Sequence, residues 1–268
     1  MDQQAIRHAI IEAGQRLYQR GYIAAGDGNI SARLPDKGRI LATPTGVCKG
    51  FLTPDMLVVV DEQGRKLQGH LEPSSELVMH LTIYHQRPDV QAVVHAHPPV
   101  GTGFAAAGIP LTTPLISEVV LTLGCIPLAE YGTPTTPELA DAIKPYIAHY
   151  DALLLANHGA LTCGATVEQA YYRMETLEHF ARIALVARLV GEEKPLTPEA
   201  VSKLFEIRQK AGMSSPTPEL CRAQMPMTTA HRQAASDEAI TLSRQQLIDL
   251  IAESVELLLR ALAEQRGR

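Results

Sequence analysis

Apolar positions Ile6, Ile10, Ala13 and Leu17 recur at helical spacing across residues 3–20, and the pattern breaks at the three glycines of GYIAAGDGNIS. A helix feeding a glycine-rich loop is expected there. The pieces RILATPTG and MLVVVDEQG are short and strand-like, punctuated by Pro, Gly and Asp, so the first sixty residues read as hairpins. Pro73-Ser74-Ser75-Glu76 opens a helix running to about Arg87. VQAVVHAHP and ALLLANHG are strand candidates, the second ending in a turn, and Thr166 with Gln169 fits a capping box for a helix to about Val190.

The character changes near Gly191. KPLTPEA leads into a helix near 198–212, and SSPTPELCRAQMPMTTAHRQAASDEA is polar and poorly periodic, which reads as a linker or mobile arm. Leu247, Ile251, Val255, Leu258 and Leu262 then form one helical stripe that would dock on its own core or on a neighbouring subunit. The expected organisation is a main domain over 1–195 and a helical carboxy-terminal extension over 196–268 with a mobile linker.

Composition narrows the function. With 268 residues, 46% hydrophobic and 20% charged, the chain can bury a sizeable core. No apolar run approaches the roughly 20 residues needed to span a bilayer, and MDQQAIRHAIIEAG lacks the basic-then-apolar order of a signal peptide, so a cytoplasmic protein is expected. A net charge of -5 without a Lys/Arg cluster argues against nucleic acid or an anionic membrane as partner. Cys48, Cys125, Cys163 and Cys221 are widely spaced and read as reduced thiols, which leaves imidazole and carboxylate to build any metal site.

On a strand, His95 and His97 point the same way while Val94 and Ala96 face the opposite layer. That makes half a metal site, which His158, where an apolar strand gives way to Asn157-His158-Gly159, can complete with a coordination position left open. Satisfied surface or core histidines are the competing reading of HxH. Ser74 and Ser75 beside Glu76 offer an anion site at a helix start, or simply a helix cap. Gly26-Asp27-Gly28-Asn29 and Thr43-Pro44-Thr45-Gly46 could wrap an anion or be ordinary turns.

Taken in order, GDGNISAR, TPTGVCKGFLTPDMLVVVD, EPSSELVMHLTIYHQRPDVQAVVHAHP and LLLANHGALTCG resemble the class II aldolase/adducin family, in particular its fuculose-1-phosphate aldolases, over about residues 5–190. The resemblance implies an α/β/α three-layer sandwich around a largely antiparallel sheet, and a homotetramer with active sites between subunits. It implies His95, His97 and His158 as ligands of one divalent metal, Zn2+ first and Mn2+ or Co2+ as alternatives. Glu76 becomes the acid/base carboxylate and possibly a fourth ligand, and Asn29, Thr45, Gly46, Ser74 and Ser75 match the substrate phosphate pocket. The expected reaction is cleavage of a phosphorylated ketose to dihydroxyacetone phosphate and an aldehyde, since a divalent cation chelating the ketone and adjacent hydroxyl spreads the enediolate charge.

Two departures bear on the aldehyde end. The fuculose-type enzymes place a tyrosine after the HxH strand and another on the tail, whereas this chain reads Pro114-Leu-Ile-Ser-Glu118 and has no tyrosine after Tyr172. Glu118 is a candidate for the vacancy, or an exposed glutamate. Decarboxylation and 4-epimerisation use the same electron sink, and a metal-free adducin-like scaffold is the reading outside enzymes.

Overall fold

The computed structural model describes residues 2–36, 38–213 and 216–223. The first helix, α1 (Gln3–Gln19), buries the Ile6, Ile10, Ala13 and Leu17 stripe and is capped by Asp2, whose carboxylate accepts the Ala5 N–H at 2.8 Å. Eight strands follow: β1 (Asn29–Arg33), β2 (Arg39–Ala42), β3 (Val58–Asp61), β4 (Lys66–Gln68), β5 (Ala92–Ala96), β6 (Leu128–Ala129), β7 (Ala152–Leu155) and β8 (Gly159–Gly164). They form one sheet in the order β4-β3-β2-β1-β5-β8-β7-β6, antiparallel except where β6 meets β7.

Helices cover both faces, so the expected α/β/α sandwich is the fold. The strands carry it by alternation: Val94, Ala96, Ala152 and Leu154 join one core with α1, α3 (Pro99–Ala106) and α6 (Val167–Val190). Val93, Leu153, Leu155 and Leu161 join the other with α2 (Leu77–Gln86) and α5 (Pro137–Ile147). A sheet buried on both faces reads as short apolar runs, as in ALLL and VVV. The cap of α6 forms at Thr166, whose hydroxyl accepts the Gln169 N–H at 3.1 Å; Gln169 returns its carbonyl to Ala165 rather than to Thr166.

Three expectations change. β8, between β5 and β7, was not anticipated as a strand. Cys125 and Cys221 are bonded as a disulfide across 96 residues, where reduced thiols were expected; which cysteines the fold brings together cannot be read from spacing, and only Cys48 and Cys163 are free. Part of the expected linker is ordered: α8 (Pro218–Ala223) carries Cys221, and the Leu220 carbonyl accepts the Tyr150 hydroxyl at 3.0 Å. Before it, α7 (Pro198–Lys210) packs on α4 (Ser117–Thr122). The rest of the expected arm and the stripe from Leu247 to Leu262 lie outside the described residues.

Candidate active site

At the carboxy end of β5 the sheet presents imidazoles toward the face covered by α2. Asn29 of β1 is the register partner of His95, so both meet Glu76 at the N-cap of α2. His97 follows one pleat on, just past the strand. His158 comes from the tight turn between β7 and β8, where Asn157 takes a left-handed conformation (φ 54°) that asparagine tolerates better than most residues. Gly159 has to lack a side chain: a Cβ there would lie 2.5 Å from the His97 ring and 2.7 Å from the Ala96 carbonyl.

The three imidazoles converge, with one ligand nitrogen from each within 4.8 Å of the others. His95 is fully buried, and its Nδ1 lies 2.9 Å from the Ala160 carbonyl, which can only accept, so Nδ1 carries the proton and Nε2 offers its lone pair. His97 is oriented alike by Asp27, 3.4 Å from its Nδ1. The two Nε2 atoms then face each other at 3.1 Å. Two lone pairs that close repel unless a cation sits between them, and the spacing is near the roughly 3.3 Å separating nitrogens of a tetrahedral zinc site. The residues fit a divalent metal, which His95, His97 and His158 could hold.

Glu76 is placed against this cluster, 3.1 Å from His158 Nε2 and 3.5 Å from His95 Nε2, and it accepts the Asn29 amide at 2.8 Å. Burial would push its carboxyl up, but the His158 hydrogen bond, the nearby imidazole charges and the Asn29 amide outweigh burial and hold it well below the usual carboxylate range. Burial takes His95 and His97 down, toward the neutral imidazole that a metal needs.

A cavity of about 240 Å³ opens beside the imidazoles, lined by Asn29, Thr45, Ser74, Ser75, Glu76, His97 and His158 among others. The two expected anion loops are stitched together: the Thr45 N–H donates to the Glu72 carbonyl and the Ser74 N–H to the Thr43 carbonyl. Gly46 is the left-handed residue (φ 69°) that turns the first loop and stands beside the lining rather than in it. Ser74 is partly spent locally, its hydroxyl accepting the Glu76 N–H at 3.3 Å, and α2 begins only at Leu77. Glu118 is exposed in the first turn of α4 and does not line the cavity.

Several residues here were missed from sequence. Lys49 and Thr135 line the cavity. Behind Glu76, the fully buried His80 meets Ser31 through Nδ1 at 2.7 Å, and Ser31 meets the Tyr84 hydroxyl at 2.8 Å. Positions 76, 80 and 84 share one helical stripe, a spacing that could have flagged them.

The family model for the class II aldolase and adducin N-terminal domain matches residues 8–185. The chain belongs to the class II aldolase/adducin family. It is 34% identical over 210 residues to the 3-oxo-tetronate 4-phosphate decarboxylase of Escherichia coli K12, covering 77% of this chain and 96% of that one. It is 30% identical over 200 residues to a Bacillus thuringiensis 5-deoxy-D-ribulose 1-phosphate aldolase, covering 74% and 92%. Among solved structures, a putative aldolase/epimerase/decarboxylase from Klebsiella pneumoniae superposes with a TM-score of 0.72 at 34% identity, covering 76% of this chain and 99% of that one. Among the described residues, no helix is long and apolar enough to cross a membrane.

Proposed function

We propose that this chain is a divalent-metal-dependent lyase that decarboxylates a phosphorylated 3-oxo sugar acid. The observation that carries the reading is one cavity lined both by a carboxylate set against the imidazole cluster and by Thr45, Ser74 and Ser75. His95, His97 and His158 are the ligands, with zinc the metal best suited to three imidazoles. Bound there, the metal supplies a Lewis acid for the charge that develops on the ketone oxygen when carbon dioxide leaves.

The chain's own groups do the rest. Thr45, Gly46, Ser74 and Ser75 hold the phosphate and so fix the reacting carbons at the imidazole end. Asn29 has its amide on Glu76 and leaves a buried Oδ1 without a partner, an acceptor suited to a substrate hydroxyl rather than a phosphate oxygen. Glu76, 3.1 Å from His158 Nε2, takes up a proton from solvent and delivers it to the carbon that lost carbon dioxide.

Aldol cleavage of a phosphorylated ketose, first expected from the motifs, is the second reading and is supported by the aldolases among the relatives. Decarboxylation is preferred because its leaving group needs no acid at an aldehyde oxygen, and no tyrosine is among the described residues that line the cavity. The same reading keeps the domain over 1–195 with its extension over 196–268, a cytoplasmic location and a homotetramer.

The test is an assay of the zinc-loaded protein with 3-oxo-tetronate 4-phosphate, and separately with fuculose 1-phosphate and 5-deoxyribulose 1-phosphate. Carbon dioxide release accelerated by the protein and abolished by chelator is expected. Dihydroxyacetone phosphate from the ketoses with no carbon dioxide from the acid would transfer the assignment to aldol cleavage.

A further inference from the structure

Lys49 follows the Thr43-Pro44-Thr45-Gly46 turn by three residues and was not among the residues matched to the phosphate pocket, yet it lines the same cavity and is only 2% exposed. Its ammonium donates to the Gly26 carbonyl at 2.5 Å, the one hydrogen bond it makes among the described residues, and no described carboxylate forms an ion pair with it. An ammonium has three N–H donors, and a buried cation so poorly partnered is costly unless an anion completes it.

The backbone that carries Lys49 is held tightly. A Cβ at Gly14 of α1 would lie 2.4 Å from the Lys49 carbonyl, and one at Gly50 would lie 2.5 Å from the Tyr18 ring, so the turn at 49–51 is pressed against α1. The acceptor, Gly26, in turn abuts Gly46, since a Cβ at 26 would stand 3.7 Å from the Gly46 Cα. The ammonium is thereby anchored to the loop that packs on the Thr45-Gly46 turn, whose donors are otherwise neutral.

We propose that Lys49 is the charged member of the phosphate site, a specificity-determining residue that makes the cavity select a phosphate dianion over a neutral hydroxyl. The inference rests on the proposed function, because it takes from it the phosphate at this end of the cavity. Neutral donors alone hold any oxygen; a fixed buried cation discriminates by charge.

The probes are inorganic phosphate and, separately, acetate, each titrated calorimetrically into the full-length, zinc-loaded protein and its Lys49→Met and Ser75→Ala variants, with zinc content and thermal melting measured on each. Lys49→Met should weaken phosphate by about 10- to 100-fold, the range for a charge-assisted hydrogen bond, with zinc content unchanged. Lys49→Gln serves if the methionine variant does not fold. In turnover, the KM for the phosphorylated acid should rise by a similar factor, with kcat within about threefold. Phosphate binding as in the unaltered protein while Ser75→Ala weakens it would overturn the role of Lys49 and leave the phosphate pocket standing. A fall in acetate affinity with none in phosphate affinity would give the ammonium to a carboxylate instead, and overturn the proposal. No phosphate binding by the unaltered protein would remove both the proposal and the reading beneath it.

Discussion

The two ends of the cavity are built differently. At the imidazole end, His95 is locked into the middle of an eight-stranded sheet, and backbone or carboxylate partners choose the protonated nitrogen of His95 and His97. At the anion end, loops meet a helix start, and short polar side chains partly satisfy one another, as Ser74 does with the Glu76 N–H. Imidazoles that would share one metal tolerate little misplacement, and His95 sits on a strand whose register fixes it, with His97 and His158 just beyond strand ends; a phosphate would be met by several donors, for which loops suffice. Glu76 stands between, bonded to Asn29 on one side and His158 on the other.

The largest effect should come from breaking the imidazole end. His95→Ala is expected to abolish stoichiometric zinc, read by atomic emission, whereas Glu76→Gln should keep the zinc and lose about 10²- to 10⁴-fold in turnover, since glutamine cannot carry the proton. Zinc retained by His95→Ala would show that the cluster is not the metal site. Because His95 is buried and central, this variant also leaves a void in the sheet, so its melting temperature should be measured alongside.

A smaller break is Asp27→Ala. Asp27 is half-exposed and meets His97 at Nδ1, the nitrogen away from the other imidazoles, so zinc should bind about 10- to 100-fold more weakly in a competition titration while the fold is unchanged. Unaltered zinc affinity would mean that His97 does not need its carboxylate partner.

The last break bears on stability rather than on zinc or turnover, and concerns the buried stripe of α2 behind Glu76. Burial holds His80 down at about 4, against an ordinary value near 6.5. The unfolded chain therefore binds a proton between those values that the folded chain refuses, so stability is full above about pH 6.5 and falls as the pH drops toward 4. The shift corresponds to about 3 kcal/mol across that window. Denaturant titrations of His80→Gln should show a flatter loss between pH 6.5 and 4 than the unaltered protein, and equal slopes would remove His80 as the cause.

Much of this was legible in one dimension. The His95/His97 alternation is a property of any strand, and the Asn157-His158-Gly159 turn announces itself by residues that tolerate tight geometry. The stripe of α1 and the cap of α6 formed where local pattern placed them. β8 escaped because GALTCG is short, small and glycine-bounded, and it is a strand only because β5 and β7 pair with it on both sides. The preference for aldol cleavage rested on motifs that serve a common electron sink, and those motifs do not distinguish the bond that breaks.

The sequence by itself brought forward His95, His97 and His158 and the carboxylate of Glu76 beside the candidate anion loops, through strand alternation and turn chemistry, and the order of its motifs carried the family resemblance that implies the layered fold. Only the tertiary structure decided that Cys125 meets Cys221 across 96 residues, that Asn29 reaches Glu76 across 47, and that Lys49 comes to the cavity through Gly26. These are contacts between segments whose separation carries no periodic signal, and they exist because the sheet order brings β1 beside β5 and the glycines of α1 and its loops allow backbones to close.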